Sequence, residues 1–175
     1  MPDYPEFSDP EFRTVALDES ESTATSAPRM ILGTLDDTHF PWIHEGILGT
    51  RDKAAPPDHT VERQGDTLVT QYHTTQPPNH ATTDLSKGGD ITAAVSVRYT
   101  NFVSMPNVIR LVKEGAAGRY VIWLATCPVA YNVTKNFWAF SRDYDLDPAK
   151  DEQYIAFSQV VRDQDKPIIE SQRPV

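Results

Sequence analysis

Arg119-Tyr120-Val121-Ile122-Trp123-Leu124-Ala125-Thr126-Cys127 is the stretch on which the fold turns. Tyr120, Ile122 and Leu124 alternate along it, and β-branched and aromatic residues suit a pleated surface with a covered face. Similar composition recurs in Thr67 to Thr74, in Ile91 to Ser104 (where Val95, Val97 and Tyr99 alternate), in Asn107 to Val112 and in Thr134 to Arg142. Gly88-Gly89, Met105-Pro106-Asn107 and Glu114-Gly115 punctuate these runs as turns. The pattern predicts about five strands in an antiparallel meander.

After Asp147-Pro148 the period changes. Tyr154, Phe157, Val160 and Val161 recur at helical spacing, opposite Asp151, Glu152, Arg162 and Asp163. That predicts one amphipathic helix packed across the sheet, its acidic first turn matched to the helix dipole. Its end is predicted near Gln164-Asp165-Lys166-Pro167, because proline disfavours helix in the residue before it. The fold class is therefore α+β: a curved antiparallel sheet packed on a C-terminal helix.

Upstream, Met1 to Phe12 is rich in proline and acids, and Asp18 to Ser26 in Ser, Thr and Glu. Residues 1–26 are expected to be a linker or exposed edge segment of a chain that starts mid-protein, with Thr14-Val15-Ala16-Leu17 a short strand. Residues 27–175 form the domain. Ser26 ahead of Pro28 reads as an N-cap with proline in the first turn, and Met30, Ile31 and Leu35 supply the apolar side of a short helix. Arg51 to Thr60 and Gln76 to Asp90 read as loops.

At 175 residues the chain fits one domain with a genuine core. Its 25 acidic and 16 basic residues give a net charge of −9 with no Lys/Arg cluster, which argues against nucleic acid or an anionic membrane surface as partner. No apolar run approaches the roughly 18 residues of a spanning helix. The single Cys127 excludes an intrachain disulfide and cannot hold an iron–sulfur cluster; with no apolar leader after Met1, the expected location is cytoplasmic. Cys127 reads as a small buried hydrophobe rather than a nucleophile.

The chemistry gathers in Leu35-Asp36-Asp37-Thr38-His39-Phe40-Pro41-Trp42-Ile43-His44-Glu45. Two histidines with a carboxylate is the ligand set of non-heme Fe(II) oxygenases. Positions five apart lie roughly 140° apart on an ideal helix, so His39 and His44 meet one ion only if the chain kinks or turns near Pro41. Asp36 and His39, three apart, share a face. Spacing alone leaves two matters open. The rings read more readily, on spacing alone, as partly buried imidazoles bonded to backbone or water, with Phe40 and Trp42 as core, and 25 carboxylates compete to be the third ligand. His59 and His80 read as surface loop residues, His73 lies in a strand, and Phe102, Phe137 and Trp138 read as core, some of them lining a cavity between sheet and helix. Gly88-Gly89 lacks the Lys and strand-to-helix context of a phosphate loop.

Asp36-x-x-His39-x-x-x-x-His44, with His39-Phe40-Pro41-Trp42-Ile43-His44-Glu45-Gly46-x-Leu48-Gly49, resembles the iron-binding stretch of Rieske-type non-heme iron oxygenase α subunits, especially the vanillate O-demethylase-like group. Pro5 to Arg13 and Ser26-Ala27-Pro28-Arg29 resemble the entry to that family's catalytic domain, and Phe157 to Pro174 the segment that supplies its carboxylate ligand. The resemblance implies a helix-grip, START-like catalytic domain with mononuclear Fe(II) held by His39, His44 and Asp165, Asp163 being the fallback. It implies that Asp36 bonds an iron-ligating histidine and links it to a neighbouring subunit's Rieske cluster. It further implies O2 and an aromatic or similar apolar substrate, hydroxylated or O-demethylated, a reductase or ferredoxin as electron donor, and a homotrimer at full length. Val129, Tyr131 and Asn132 lie near the cavity only by analogy. The [2Fe-2S] cluster would belong to a Rieske domain ahead of Met1, and the family usually continues beyond Pro174, so a fragment, an isolated catalytic domain or a truncated copy is expected. Where the family usually has Asn, six residues before the first ligand histidine, this chain has Gly33. A metal-free ligand-binding module on the same fold and an inactive remnant are the alternatives.

Overall fold

The computed structural model describes residues 4–17, 20–87, 92–104 and 107–173. The predicted turns at Gly88-Gly89 and Met105-Pro106, together with Ile91, Asp18 and both chain ends, lie outside the described residues. Eight strands are described: β1 (Arg13–Ala16), β2 (Glu21–Thr23), β3 (Thr60–Gln64), β4 (Thr67–Gln76), β5 (Val95–Ser104), β6 (Val108–Gly115), β7 (Gly118–Ala130) and β8 (Val133–Arg142). The helices are α1 (Ala27–Leu35), α2 (Phe40–Ile43) and α3 (Asp151–Ser171). The strands form a single antiparallel sheet in the order β1-β8-β7-β6-β5-β4-β3, and β2 also pairs with β8. β4 to β8 are the predicted meander.

Alternation decides the faces. Tyr99, Lys113, Tyr120 and Arg142 are register partners across β5 to β8 and share the inner face. Onto that face pack Met30 of α1 and Tyr154, Phe157 and Ile169 of α3, closing a core with Tyr120, Leu124, Trp138 and Phe140. Ile31 closes a second cluster with Val97, Tyr99, Ile109 and Leu111. Each such large apolar side chain contributes about 1.5–3 kcal/mol on burial. The outer face is covered by Tyr4, which packs on Val112, Val121 and Ala139.

Several expectations are corrected. The edge segment is part of the fold rather than an exposed run: Tyr4 is buried and bonds the Ser141 hydroxyl at 2.9 Å, and β2 lies on β8, where the Asn136 amide donates to Thr23 Oγ1 at 2.8 Å. A strand this short and polar has no hydrophobic period to reveal it. α3 does not stop before Pro167 but carries that proline inside it. Contacts in the last turn offset the lost donor: Ile169 is buried, and Glu170 accepts the Ala24 N–H at 2.9 Å. Cys127 is exposed, because β7 runs on past the cover of the helices after Thr126. Val129 and Tyr131 project from that same hairpin, 53% and 80% exposed, and are not among the residues lining the cavity between sheet and helix. Phe137 is exposed on the outer face and Phe102 is half-buried there; Trp138 is core. Among the described residues no helix is long and apolar enough to cross a membrane.

Candidate metal centre

α1 stops at Asp36, whose backbone turns extended while its N–H still bonds the Leu32 carbonyl. Asp36 then folds the chain over itself, its Oδ1 accepting the Thr38 N–H at 2.9 Å and hydroxyl at 2.6 Å. The next element, α2, is a single turn with Pro41 in its first turn, where the missing N–H costs nothing. His39 precedes α2 as its N-cap and His44 ends it as its C-cap. Neither histidine lies within the helix, so the 140° objection lapses. The two rings sit 5.0 Å apart between centroids.

α3 brings the carboxylate. Asp165 Oδ1 lies 2.8 Å from His44 Nε2 and 3.4 Å from His39 Nε2, and the ligating atoms of the three residues all lie within 4.8 Å of one another. The fallback Asp163 is exposed instead and accepts the Gln159 amide at 2.6 Å. Asp36 stands behind His39, its Oδ2 3.3 Å from Nδ1. Gln164 does the same for His44: its Oε1 lies 2.7 Å from Nδ1.

Asp36 Oδ2 and Gln164 Oε1 accept from a proton on each Nδ1, so that in the neutral ring the Nε2 lone pair is the one turned towards Asp165. Both Nε2 atoms are buried and neither makes a hydrogen bond, Asp165 lying outside hydrogen-bonding geometry despite its proximity. An unpartnered buried acceptor costs about 1–3 kcal/mol. Two such nitrogens beside one carboxylate match a two-histidine, one-carboxylate set with open positions, so the residues fit the implied metal.

The charges agree. Burial pushes the Asp165 carboxyl up, but His39 and His44 together outweigh it and hold the group below its ordinary value. Burial likewise pulls the His39 ring down, and Asp165 with Asp36 more than compensates, leaving it raised. Burial pushes the Asp36 carboxyl up, but the bonds from Thr38 and the His39 ring together outweigh it and keep the group below its ordinary value.

Beside the triad lies a cavity of about 100 Å³, walled by Phe40, Tyr99, Leu111, Trp138, Phe140 and Phe157. Gly33 also lines it: a Cβ there would stand 3.2 Å from the Ile169 side chain, so glycine allows α1 to close on α3. Trp42, one of the residues read as core, is instead 55% exposed under the Arg51 guanidinium. The other histidines stand outside the triad. His73 is exposed and His59 sits 3.5 Å from Asp37, whereas His80 is half-buried against Tyr154 and Phe157 rather than on the surface. Two residues of the site escape the sequence reading. Gln164 is signalled only by its place next to Asp165, and Lys113 by breaking the apolar alternation Ile109, Leu111. Lys113 is 5% exposed in the cavity wall, and burial pushes its amine down to about 8, with Asp165 partly offsetting that.

A family model for the vanillate O-demethylase oxygenase C-terminal domain matches residues 25–175. Among curated relatives, methylxanthine N1-demethylase NdmA of Pseudomonas putida is 33% identical over 176 residues, covering 99% of this chain and 46% of that protein. Methylxanthine N3-demethylase NdmB of the same organism is 29% identical over 182 residues, covering 100% of this chain and 46% of that protein. The chain thus spans about half the length of these relatives. Among solved structures, NdmA with caffeine superposes with a TM-score of 0.78 at 32% identity, covering 99% of this chain and 47% of that one. Dicamba monooxygenase bound to 3,6-dichlorosalicylic acid gives 0.81 at 15% identity, over 98% of this chain and 52% of that one, a likeness of fold.

Proposed function

Because the chain belongs to the vanillate O-demethylase oxygenase C-terminal domain family, we propose that it is the catalytic portion of a mononuclear non-heme Fe(II) oxygenase that demethylates or hydroxylates a small organic substrate. The observation that carries this is the pair of buried, unbonded Nε2 atoms of His39 and His44 converging on Asp165. These three residues would hold the ion, which when bound supplies activation of O2 beside the substrate.

The protein's own residues do the rest. Asp36 and Gln164 keep the Nδ1 protons in place, orienting the rings and raising their basicity as ligands. The aromatic wall of the cavity excludes water and seats an apolar body against the triad. Asp36, partly exposed behind His39, is the proposed link towards a Rieske cluster of a neighbouring subunit, fed by a reductase or ferredoxin in a trimer of full-length chains. The named relatives are N-demethylases and a monooxygenase, so C–N as well as C–O demethylation falls within this proposal.

Protein loaded anaerobically with Fe(II) is expected to retain near-stoichiometric iron, and His39→Ala and Asp165→Ala to abolish it. Wild-type protein without iron overturns the reading and favours a metal-free pocket protein. With iron bound, this chain is expected to give no product from NADH and a reductase until a Rieske domain is added.

A further inference from the structure

We propose that Lys113 is a covalent modification site, its side-chain amine capturing formaldehyde as an imine inside the cavity. The source of the aldehyde rests on the demethylase reading: oxygenation of a methyl group on O or N gives a hydroxymethyl group, which breaks down to formaldehyde and the O–H or N–H compound. Lys113 stands where that aldehyde is set free, for it lines the same cavity as His39, His44 and Asp165.

Two lysines line this cavity, and their surroundings differ. Lys166 is engaged as a donor: its Nζ gives a hydrogen bond to the Ser22 carbonyl at 2.7 Å and lies 3.8 Å from Glu21, which also pairs with Arg162 at 3.0 Å. Lys113 lies on the inner face of β6 between Tyr99 and Tyr120 in register. Among the described residues it has no ion pair, and its close contact is the face of the Tyr99 ring, 5.3 Å from Nζ to centroid. Asp165 on α3 acts on it through space but is committed to the two histidines, so burial prevails. An amine brought down to about 8 is roughly one-tenth neutral at pH 7, against roughly one in 2,500 for an ordinary lysine. A desolvated lysine in an apolar pocket is the setting in which amines form Schiff bases with carbonyl compounds.

The step balances without an oxidant or a reductant. The nitrogen lone pair attacks the carbonyl carbon, a C–N bond forms and one amine proton passes to the oxygen. The hydroxyl then leaves with the remaining amine proton as water, and an N-methylene imine stays on Lys113. Capture replaces the amine by a group that carries no ammonium, and hydrolysis restores it.

The test is labelling of the metal-free full chain at pH 7 with limiting isotope-labelled formaldehyde and cyanoborohydride, whose hydride traps each imine as an N-methyl group for peptide mass mapping. Lys113 is expected to be methylated about tenfold or more faster than Lys166 and than the exposed Lys53 and Lys135. Its rate is expected to level off above about pH 8, while theirs rise up to about pH 10. Unfolding in guanidinium chloride is expected to erase the preference. Labelling of Lys113 no faster than that of the other three, a rate that climbs in parallel with theirs, or a preference that persists in the unfolded chain overturns the proposal. Because the aldehyde is added and no metal is used, failure here leaves the iron reading standing, and a chain that binds no iron still gives this result.

Discussion

Two aspartates on one helix, roughly 21 Å of α3 apart, are used in opposite ways. Asp151 in the first turn is saturated: Oδ2 takes the Arg13 guanidinium at 2.5 and 3.0 Å, and Oδ1 takes Arg142 at 2.8 Å. Arg142, 2% exposed, spends its other donors on the carbonyls of Asp145 and Asp147. Asp165, near the other end, faces two histidine nitrogens that form no hydrogen bond at all. At Asp151 the buried charge is met by two guanidinium groups. Where donors to a metal are needed, lone pairs are left buried and unspent, and the surrounding sheet and helices bear the cost.

Breaking the first region should have the largest effect. Asp151→Ala strands the buried Arg142 guanidinium and is expected to cost about 3–5 kcal/mol in denaturant unfolding, with no change in iron bound per folded chain. A loss below about 1 kcal/mol would mean that Asp151 is not structural. The same pair sets a pH limb. Burial pushes the Asp151 carboxyl up, but the bonds from Arg13 and Arg142 outweigh it and hold the group below its ordinary value. A depressed carboxyl stabilises fully above its unfolded value near about 4 and ceases to as pH falls through the lower folded value. Unfolding measured across that acid window should therefore show the wild type losing stability more steeply than Asp151→Asn.

The second region sharpens the contrast through affinity rather than stability. Gln164→Leu removes the acceptor that holds the His44 proton and is expected to weaken Fe(II) binding by about 10–100-fold while shifting unfolding by less than about 1 kcal/mol. Unchanged affinity would remove Gln164 from the site. The smallest effect belongs to Cys127→Ser, which touches neither region: within about 0.5 kcal/mol and with iron binding unchanged, since the thiol is exposed.

The same contrast explains what is legible in the sequence. β4 to β8 and α3 carry long apolar periods, so the sheet and its helix can be read from Tyr120, Ile122 and Leu124 and from Tyr154, Phe157 and Val161. β2 cannot, being three polar residues that hold on through Asn136 and the backbone of β8. A local rule about Pro167 misplaces the end of α3, because the distant burial of Ile169 outweighs it. At the candidate site, two histidines five apart argue against a common ion unless a one-turn helix stands between them, a local geometry that no spacing rule contains. Asp165 is reached only through family resemblance. Gln164 and Lys113 depend on what faces them across the cavity, which only the folded chain specifies.

The arrangement of protonated Nδ1 and free Nε2 on both rings is tested most directly by proton NMR of the Co(II)-loaded chain. Two solvent-exchangeable, hyperfine-shifted resonances are expected, one from each Nδ1–H, with His39→Ala removing one and His44→Ala the other. A spectrum without shifted exchangeable resonances, or one in which both survive in the two variants, would contradict ligation of the metal by this pair.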